Sequence, residues 1–357
     1  MSTATPLRPA PTPAATPTAS RPLPRWLPFA VALGALVGAL LLRAVLGGGP
    51  IATAAMAAVL HVAATFVVSR AREGRRRAVD RTVTAAVTIA FLLALLPLAS
   101  VLWTVVSRGA ARFDVDFFAL TMRNIVGEGG GARHAIIGTL QVTGLATLMS
   151  VPVGLLTAIY LVEYGRGRLA RAITFLVDVM TGIPSIVAGL FAYALFALFF
   201  GPGIRFGFGG AVALSVLMTP VVVRASEEML KLVPAELREA SLALGVPKWR
   251  TILKVVLPVA AAGIATGTTL AIARVIGETA PLLLIAGYAT SLNLSPFDGR
   301  QATLPVFAFY QFTQPGVPPQ AGIDRAWTAA LVLLLIVLLL NFVARLISRA
   351  FAPKGAR

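Results

Sequence analysis

The chain has 357 residues, of which 57% are hydrophobic and only 13% are charged. Soluble domains carry about 25% charged residues, so this composition excludes an ordinary soluble protein and indicates an integral membrane protein. The net charge of +17 comes from basic residues scattered over short loops, without the basic face and interleaved aromatic residues of a nucleic-acid-binding protein. The chain has no cysteine, which excludes disulfides, thiol catalysis and thiolate metal sites.

The N-terminal residues 1–25 are rich in proline, alanine, threonine and serine and contain no acidic residue. Such a composition has too little apolar surface to form a core, so we predict a disordered tail on the cytoplasmic side. A secretory signal is the competing interpretation, because basic residues precede an apolar run. That run is long, a second run follows it at once, and no cleavage site is evident, which favours the tail.

Two apolar runs follow, at residues 26–46 and 51–69, and each is close to the length of about 20 residues that crosses a bilayer core. We interpret residues 26–69 as two transmembrane helices and His61 as a residue of their interior, since two histidines in the whole chain cannot form a His-rich metal site. The next segment, residues 70–81, carries six arginines and two acidic residues. This excess of positive charge predicts a cytoplasmic loop.

Six further spans follow by alternation, which gives eight transmembrane helices with both termini in the cytoplasm. The short loops rich in arginine and lysine then all lie inside, as the positive-inside rule requires. The predicted spans are residues 82–106, 135–162, 172–200, 211–223, 257–288 and 326–347. The predicted outer loops are residues 107–133, 201–210 and 289–325. The sequence therefore predicts an all-α integral membrane protein.

Polar residues interrupt the fifth and sixth spans. Residues 181–185, T-G-I-P-S, predict either an ordinary proline kink or a helix broken at the midplane, which would expose backbone groups to a substrate. Asp178, one turn earlier, is expected to be buried beside a basic or hydroxyl group. The inner end of the sixth span forms either an ion-paired helix start, capped by Ser226, or a cytoplasmic gate. The residues of this possible gate are Arg224, Glu227 and Glu228.

A polar, amphipathic segment at residues 233–258 separates two apolar spans. Pro234 suits the first turn of a helix, where its missing N–H is not needed. Gly245 stands where a left-handed C-terminal cap is expected, and Pro247 then ends the first helix and can open a second. We therefore predict two short helices joined by a turn. The apolar residues at helical spacing in the first helix are Leu237, Ala240 and Leu244.

This segment also carries a recognisable spacing. Glu239-Ala240-Ser241, then Gly245, then V-V-L-P at residues 255–258 resemble the E-A-A-x3-G-x9-I-x-L-P signature of bacterial ABC importer permeases, with serine for the second alanine and valine for isoleucine. In that family the loop is a coupling helix that docks into a cleft on the cytoplasmic ATPase. The resemblance implies a coupling loop over residues 225–256. Its implied residues are Glu239, Ala240, Ser241, Gly245, Leu257 and Pro258.

The predicted seventh span contains Arg274 and Glu278, four residues apart and therefore on one helical face if the helix is continuous. Ionisable residues inside a span are costly and suggest a function. One interpretation is an internal ion pair that joins two helices. The other places the arginine on the path of a tetrahedral oxyanion, because the planar guanidinium fork suits phosphate.

The same stretch, A-R-V-I-G-E-T-A-P-L-L at residues 273–283, resembles the phosphate ABC transporter permeases of the PstA type, as do residues 160–164, 181–191 and 220–230. The resemblance implies a six-span type I importer core over residues 82–357, preceded by two additional spans. It also implies that Arg274 is linked to phosphate passage, with Glu278 as its partner.

The implied partners are a sister permease of the PstC type, two copies of a PstB-type ATPase, a PstS-type phosphate-binding protein, the lipid bilayer and inorganic phosphate. The chain has no P-loop motif, so we expect ATP hydrolysis on a partner subunit and neither a cofactor nor a metal here. Two alternatives stay open. One is transport of another oxyanion, molybdate or sulfate, and the other is a secondary anion carrier driven by an ion gradient.

Overall fold

The computed structural model describes residues 24, 26–47 and 49–351, and these form helices joined by turns, without a strand among them. The predicted tail therefore lies, apart from its last residues, outside the described part. The chain divides into two compact units between Leu102 and Trp103. Among the described residues, seven helices are long and apolar enough to cross a membrane, or eight spans if one bent helix pair counts as a span.

The first unit contains a helical hairpin and most of a third helix. Its helices are α1 Leu27–Leu46, α2 Pro50–Glu73 and the first part of α3 Arg75–Gly109. Ala35 and Ala39 of α1 are buried, while most of the large apolar side chains of α1 and α3 are exposed. Small residues let two helices approach closely in a bilayer, and large exposed ones suit contact with lipid.

Residues 70–81 were predicted to form a cytoplasmic loop, but all of them except Gly74 are helical. Helix α2 continues to Glu73 and α3 begins at Arg75, so Gly74, with φ +88°, is the whole connection. Arginine is a good helix former, and glycine adopts positive φ without steric cost. The two helix ends are joined by Arg81, whose Nε and Nη2 donate to the Glu73 carboxylate at 2.6 and 2.9 Å.

The second unit contains the rest of α3 and all later helices. Their bounds are α4 Val115–Ala119, α5 Arg133–Ile159, α6 Gly167–Thr181, α7 Ser185–Phe200, α8 Gly207–Lys231, α9 Ala235–Ala243, α10 Lys248–Thr251, α11 Leu257–Val275, α12 Ala280–Ile285, α13 Leu304–Thr313 and α14 Pro319–Phe351. Single π turns follow α5 and precede α11. The central core lies where α5 and α8 pack, around Val142, Leu214 and Met218.

The fifth predicted span is a broken helix rather than a kinked one. Helices α6 and α7 are separated by Gly182, Ile183 and Pro184 and are inclined at 109° to each other. Proline disfavours helical geometry at the residue before it and has no N–H to donate. Of the two interpretations left open by the sequence, the structure therefore supports the break.

Two other predicted boundaries are corrected. The seventh span, residues 257–288, is interrupted, because α11 ends at Val275 and α12 begins only at Ala280. The outer segment, residues 289–325, was expected to be a loop but contains α13 and the start of α14. Helices α12, α13 and α14 each have proline at one of their first two positions, where its fixed φ favours initiation of a helix.

Helices α7 and α12 pack backbone against backbone at one glycine. A Cβ added at Gly189 would lie 2.5 Å from the Cα of Pro281, so we expect Gly189→Ala to lower the free energy of unfolding by about 1–3 kcal/mol. Gly144→Ala in α5 is the matched control, because no atom lies within 4 Å of that position. Thermal unfolding of the two purified variants measures the difference, and equal midpoints would show that the helices are not in close contact.

Candidate functional site

The segment between α8 and α11 folds as the sequence predicts. Helix α9 ends at Ala243, Gly245 has φ +75°, and Pro247 is the N-cap residue of α10. Pro234 lies one residue earlier than expected, as the N-cap of α9. The left-handed cap at Gly245 and the two short helices are thus confirmed as local structure. We call residues 232–251 the coupling segment.

The coupling segment is fixed to the ends of two long helices. The guanidinium of Arg238 donates to the Glu163 carboxylate at 2.9 Å and to the carbonyls of Val233 and Leu230 at 2.5 and 2.8 Å. Glu163 belongs to the π turn that extends α5, and Leu230 belongs to α8. Charge-assisted hydrogen bonds are stronger than neutral ones, so this arginine ties α9 to both helices.

A second bond closes the segment on itself. Ser241 Oγ lies 2.9 Å from Thr251 Oγ1, and both residues are buried. Ser241 is the position at which the sequence departs from the alanine of the importer signature. A hydroxyl in that position supplies a hydrogen bond between α9 and α10 that alanine cannot form.

The apolar face of α9 points away from the rest of the chain. Leu237, Leu244 and Trp249 are 42%, 84% and 54% exposed, and Glu239 and Ala240 are exposed beside them. A cluster of exposed apolar side chains with a polar rim is typical of a protein contact surface. The coupling segment therefore has one anchored side and one free apolar side.

The predicted pairing of Arg274 with Glu278 is wrong in this structure. Helix α11 ends at Val275, and Glu278 lies in the following turn, where its N–H donates to the Val275 carbonyl at 3.1 Å. A spacing of four residues brings two side chains to one face only while the helix continues. Within the described ranges, neither side chain forms an ion pair or hydrogen bond; Arg274 is exposed and Glu278 half-buried.

The possible gate residues are only partly brought together. Arg224 Nη1 and Lys231 Nζ each lie 2.7 Å from the Glu227 carboxylate, and Arg224 also pairs with Asp178 of α6. Glu228 is exposed and outside this cluster. The predicted partner of Asp178 is thus confirmed as basic, although the Asp178 side chain is 60% exposed rather than buried.

The expected helix start at this cluster is wrong. Helix α8 continues without a break from Gly207 to Lys231, so Arg224 and Glu227 lie inside its last turns. Ser226 is buried there and does not cap a helix. The hydropathy of residues 224–231 falls, but their i,i+3 and i,i+4 ion pairs support a helix that extends beyond the apolar span.

Two arginines that the sequence analysis passed over converge on one glycine. Gly287 has φ +77°, and a Cβ added there would lie 3.1 Å from Arg205 Cδ and 3.4 Å from Arg300 Cγ. In the part of the chain that the structure describes, neither guanidinium has an ion-pair or hydrogen-bond partner. The signal was present, since arginines in predicted outer loops oppose the positive-inside rule.

A third arginine that the sequence analysis did not single out holds the Gly-rich loop between α4 and α5. Arg325 of α14 is 2% exposed and donates to the carbonyls of Gly127 and Gly129 at 2.7 and 3.0 Å and to Gln311 Oε1 at 2.9 Å. Buried carbonyl groups need such partners. The loop is therefore fixed from inside the unit.

The short helix that precedes this loop, α4, is fixed by an N-terminal cap. Asp114 Oδ1 accepts the Phe117 N–H at 2.8 Å, and Arg112 Nε donates to Asp114 Oδ2 at 3.0 Å. Burial acts to raise the pKa of the Asp114 carboxyl, but these two hydrogen bonds and the charge of Arg112 outweigh it, so the pKa is lowered. The carboxylate therefore caps α4 at neutral pH.

Comparison with known proteins assigns the family. Residues 150–356 match the family described as "Binding-protein-dependent transport system inner membrane component". The chain belongs to this family. It is 47% identical over 284 residues, 79% of this chain and 92% of the relative, to "Phosphate transport system permease protein PstA 1" of Mycobacterium tuberculosis. It is 41% identical over 251 residues, 69% of this chain and 86% of the relative, to "Phosphate transport system permease protein PstA" of Pasteurella multocida.

Solved structures agree at the level of fold. A chain of the bacterial alginate ABC transporter matches with a TM-score of 0.55 at 16% identity, over 78% of this chain and 97% of that one. A chain of the methionine ABC transporter MetNI, in an inward-facing conformation, matches with a TM-score of 0.50 at 22% identity, over 68% and 100%. The predicted all-α importer-permease fold is confirmed, and the chain is a multi-pass membrane protein.

We expect the loss of Arg325 to release the Gly-rich loop. Arg325→Met leaves the half-buried Gly127 carbonyl and Gln311 Oε1 without this donor, and the Gly129 carbonyl keeps only Arg112 Nη1 at 3.4 Å, which should lower the free energy of unfolding by about 2 kcal/mol. Arg123→Met, at an exposed position of the same loop, should have little effect. Hydrogen exchange of residues 120–132 measures the difference, and unchanged protection in Arg325→Met would contradict this role.

Proposed function

We propose that the chain is the transmembrane permease subunit of an ATP-driven importer of inorganic phosphate and forms half of its translocation path. The coupling segment carries this proposal: it is held to α5 and α8 through Arg238 and leaves an apolar face free for a partner. The names of the relatives, phosphate transport system permease proteins, supply the substrate. No enzymatic step is assigned to this chain.

The partner of the coupling segment is a cytoplasmic ATPase subunit. Leu237, Leu244 and Trp249 form a surface of the kind that fills an apolar cleft, with Glu239 at its edge. When two ATPase subunits close on ATP, the displaced segment pulls on α5 and α8 through Arg238. ATP binding then supplies the difference in free energy between inward-open and outward-open states that transport requires.

This role of the coupling segment fixes the orientation. With α9 and α10 in the cytoplasm, alternation places both termini inside and the connections containing Arg205 and Arg300 outside. The outer Gly-rich loop, held by Arg325, is then available to a phosphate-binding protein of the PstS type. The complex contains a sister permease of the PstC type and two PstB-type ATPases, and residues 82–357 of this chain form the permease core.

The oxyanion path follows arginines that have no internal partner. Arg205 and Arg300 attract the anion at the outer mouth, and Arg274 receives it in the last turn of α11. Glu278 stands four residues on and accepts a hydrogen bond from the P–OH of protonated phosphate, a group that fully ionised sulfate lacks. Phosphate keeps this proton in part at neutral pH because its second pKa is near 6 to 7.

A single charged substitution on the apolar face of the coupling segment tests whether this face binds the ATPase. Leu244 is 84% exposed, so Leu244→Asp should fold normally but lose the ATPase, since a buried unpaired charge at an interface costs several kcal/mol, roughly 2–5. We expect copurification with the ATPase and ATP-dependent phosphate uptake in vesicles to fall at least about tenfold. Val126→Asp, at a 93% exposed outer position, should keep the ATPase. Equal copurification in both variants would refute the assignment, while uptake without any ATPase would favour the secondary carrier.

The oxyanion path is tested by uptake of phosphate and sulfate in the same vesicles. Arg274→Gln removes a charged hydrogen-bond donor worth about 1.5–3 kcal/mol and should reduce phosphate uptake about tenfold or more, with ATPase binding unchanged. Glu278→Gln should raise sulfate uptake relative to phosphate, and Glu228→Gln, an exposed glutamate outside the proposed path, serves as its control. The same sulfate-to-phosphate ratio in Glu278→Gln and wild type would exclude the proposed selectivity.

A further inference from the structure

The first unit contains a partly open cavity of about 1000 Å³ between α1, α2 and the beginning of α3. Its wall is largely apolar and includes Val31, Ala58, Val68, Ala85 and Leu92. This volume is at the upper end of the range of about 300–1000 Å³ found for ligand sites. The family match begins only at residue 150, so the cavity lies in a part of the chain to which that match assigns nothing.

One end of the cavity is charged. Its lining there includes Glu73, Arg77, Asp80 and Arg81. The Glu73 carboxylate already accepts hydrogen bonds from Arg81 and from Ser69. Arg77 differs from Arg81, because over the described ranges its guanidinium has neither an ion-pair nor a hydrogen-bond partner. A free cation therefore borders the apolar space.

The surroundings of this end add positive charge. The helix junction at residues 70–81 holds six arginines and two acidic residues. A cluster of four to eight basic residues next to a transmembrane helix is typical of an anionic-lipid site, and basic pockets between helices bind lipid head groups. The charge distribution thus complements a ligand with an anionic head and an apolar body.

We propose that this cavity binds one anionic glycerophospholipid, with its phosphate at Arg77 and an acyl chain along the wall formed by Ala58, Ala85 and Leu92. A guanidinium binds a phosphate group through charge-assisted hydrogen bonds, and each methylene of the acyl chain that leaves water adds hydrophobic stabilisation. Inorganic phosphate would use the charged end alone and leave the apolar wall uncovered. His61 also lines the wall, as a residue of the helix interior and not of a metal site.

The test is lipid retention by the full-length protein, measured by native mass spectrometry from detergent with phosphatidylglycerol or phosphatidylethanolamine of identical acyl chains. We expect wild type to prefer phosphatidylglycerol about fivefold or more, the effect of one basic residue near an anionic group. Arg77→Gln should abolish this preference. Arg168→Gln, an exposed arginine outside the cavity, should keep it.

A bulky substitution in the apolar wall tests whether an acyl chain occupies the cavity. Ala58→Phe should reduce retention of both lipids, whereas Ala94→Phe, at an exposed position of α3 outside the cavity, should not. Equal phosphatidylglycerol retention by Arg77→Gln and Arg168→Gln would overturn the proposal, and so would unchanged retention by Ala58→Phe. Displacement of phosphatidylglycerol by inorganic phosphate would also overturn it, because the ligand would then be the free anion. These measurements do not depend on transport, so they test the lipid site independently of the proposed function.

Discussion

The hydrogen bonds of Arg238 to the Glu163 carboxylate, to the Leu230 carbonyl of α8 and to the Val233 carbonyl are the interaction on which the position of α9 depends. A helix of nine residues, such as α9, is marginal in water without tertiary contacts. The arginine supplies those contacts and also binds the Leu230 carbonyl in the last turn of α8 and the Val233 carbonyl just after it. A rigid connection of this kind can transmit displacement, because the segment cannot shift without moving α5 and α8 or breaking the bonds of Arg238 to Glu163 and Leu230.

The helix breaks of the second unit obey a related constraint. Backbone groups that leave a helix at membrane depth must be covered by protein or face a water-filled path. The break between α6 and α7 and the break between α11 and α12 belong to helices that pack together at Gly189 and Pro281. Interrupted helices that pack near the midplane are a common construction of transporter substrate sites. Arg274 and Glu278 lie beside the second break, which is where the proposed oxyanion path would pass.

Hydropathy and proline or glycine positions predicted the spans, the broken fifth span as one alternative, and the turn at Gly245. These patterns predicted the wrong helix ends wherever a helix continues beyond the apolar part of the sequence. The arginines at residues 70–81 and the ion pairs of Arg224 and Glu227 keep α3 and α8 helical beyond the apolar part of the sequence, while hydropathy detects only the bilayer boundary. The predicted Arg274–Glu278 pair failed for the opposite reason. It assumed that the helix continues as far as Glu278, whereas α11 ends at Val275. The convergence of Arg205 and Arg300 depends on tertiary packing around Gly287, which no local pattern encodes.

The partners of each arginine separate structural from substrate-binding roles. Arg224 already contacts Asp178 of α6 and Glu227 of α8, and the negative charges of these two carboxylates oppose the approach of an anion. Arg274 has no such competitor among the described residues and can bind an anion without breaking a bond.

The Asp178–Arg224 contact joins the broken span to the helix that bears the coupling segment. Any motion that separates α6 from α8 must break it, and because both side chains are partly exposed, water can solvate the separated charges at modest cost. Such an ion pair suits the cytoplasmic gate that the sequence predicts as one alternative, and Arg224 lies about two turns before the coupling segment on α8.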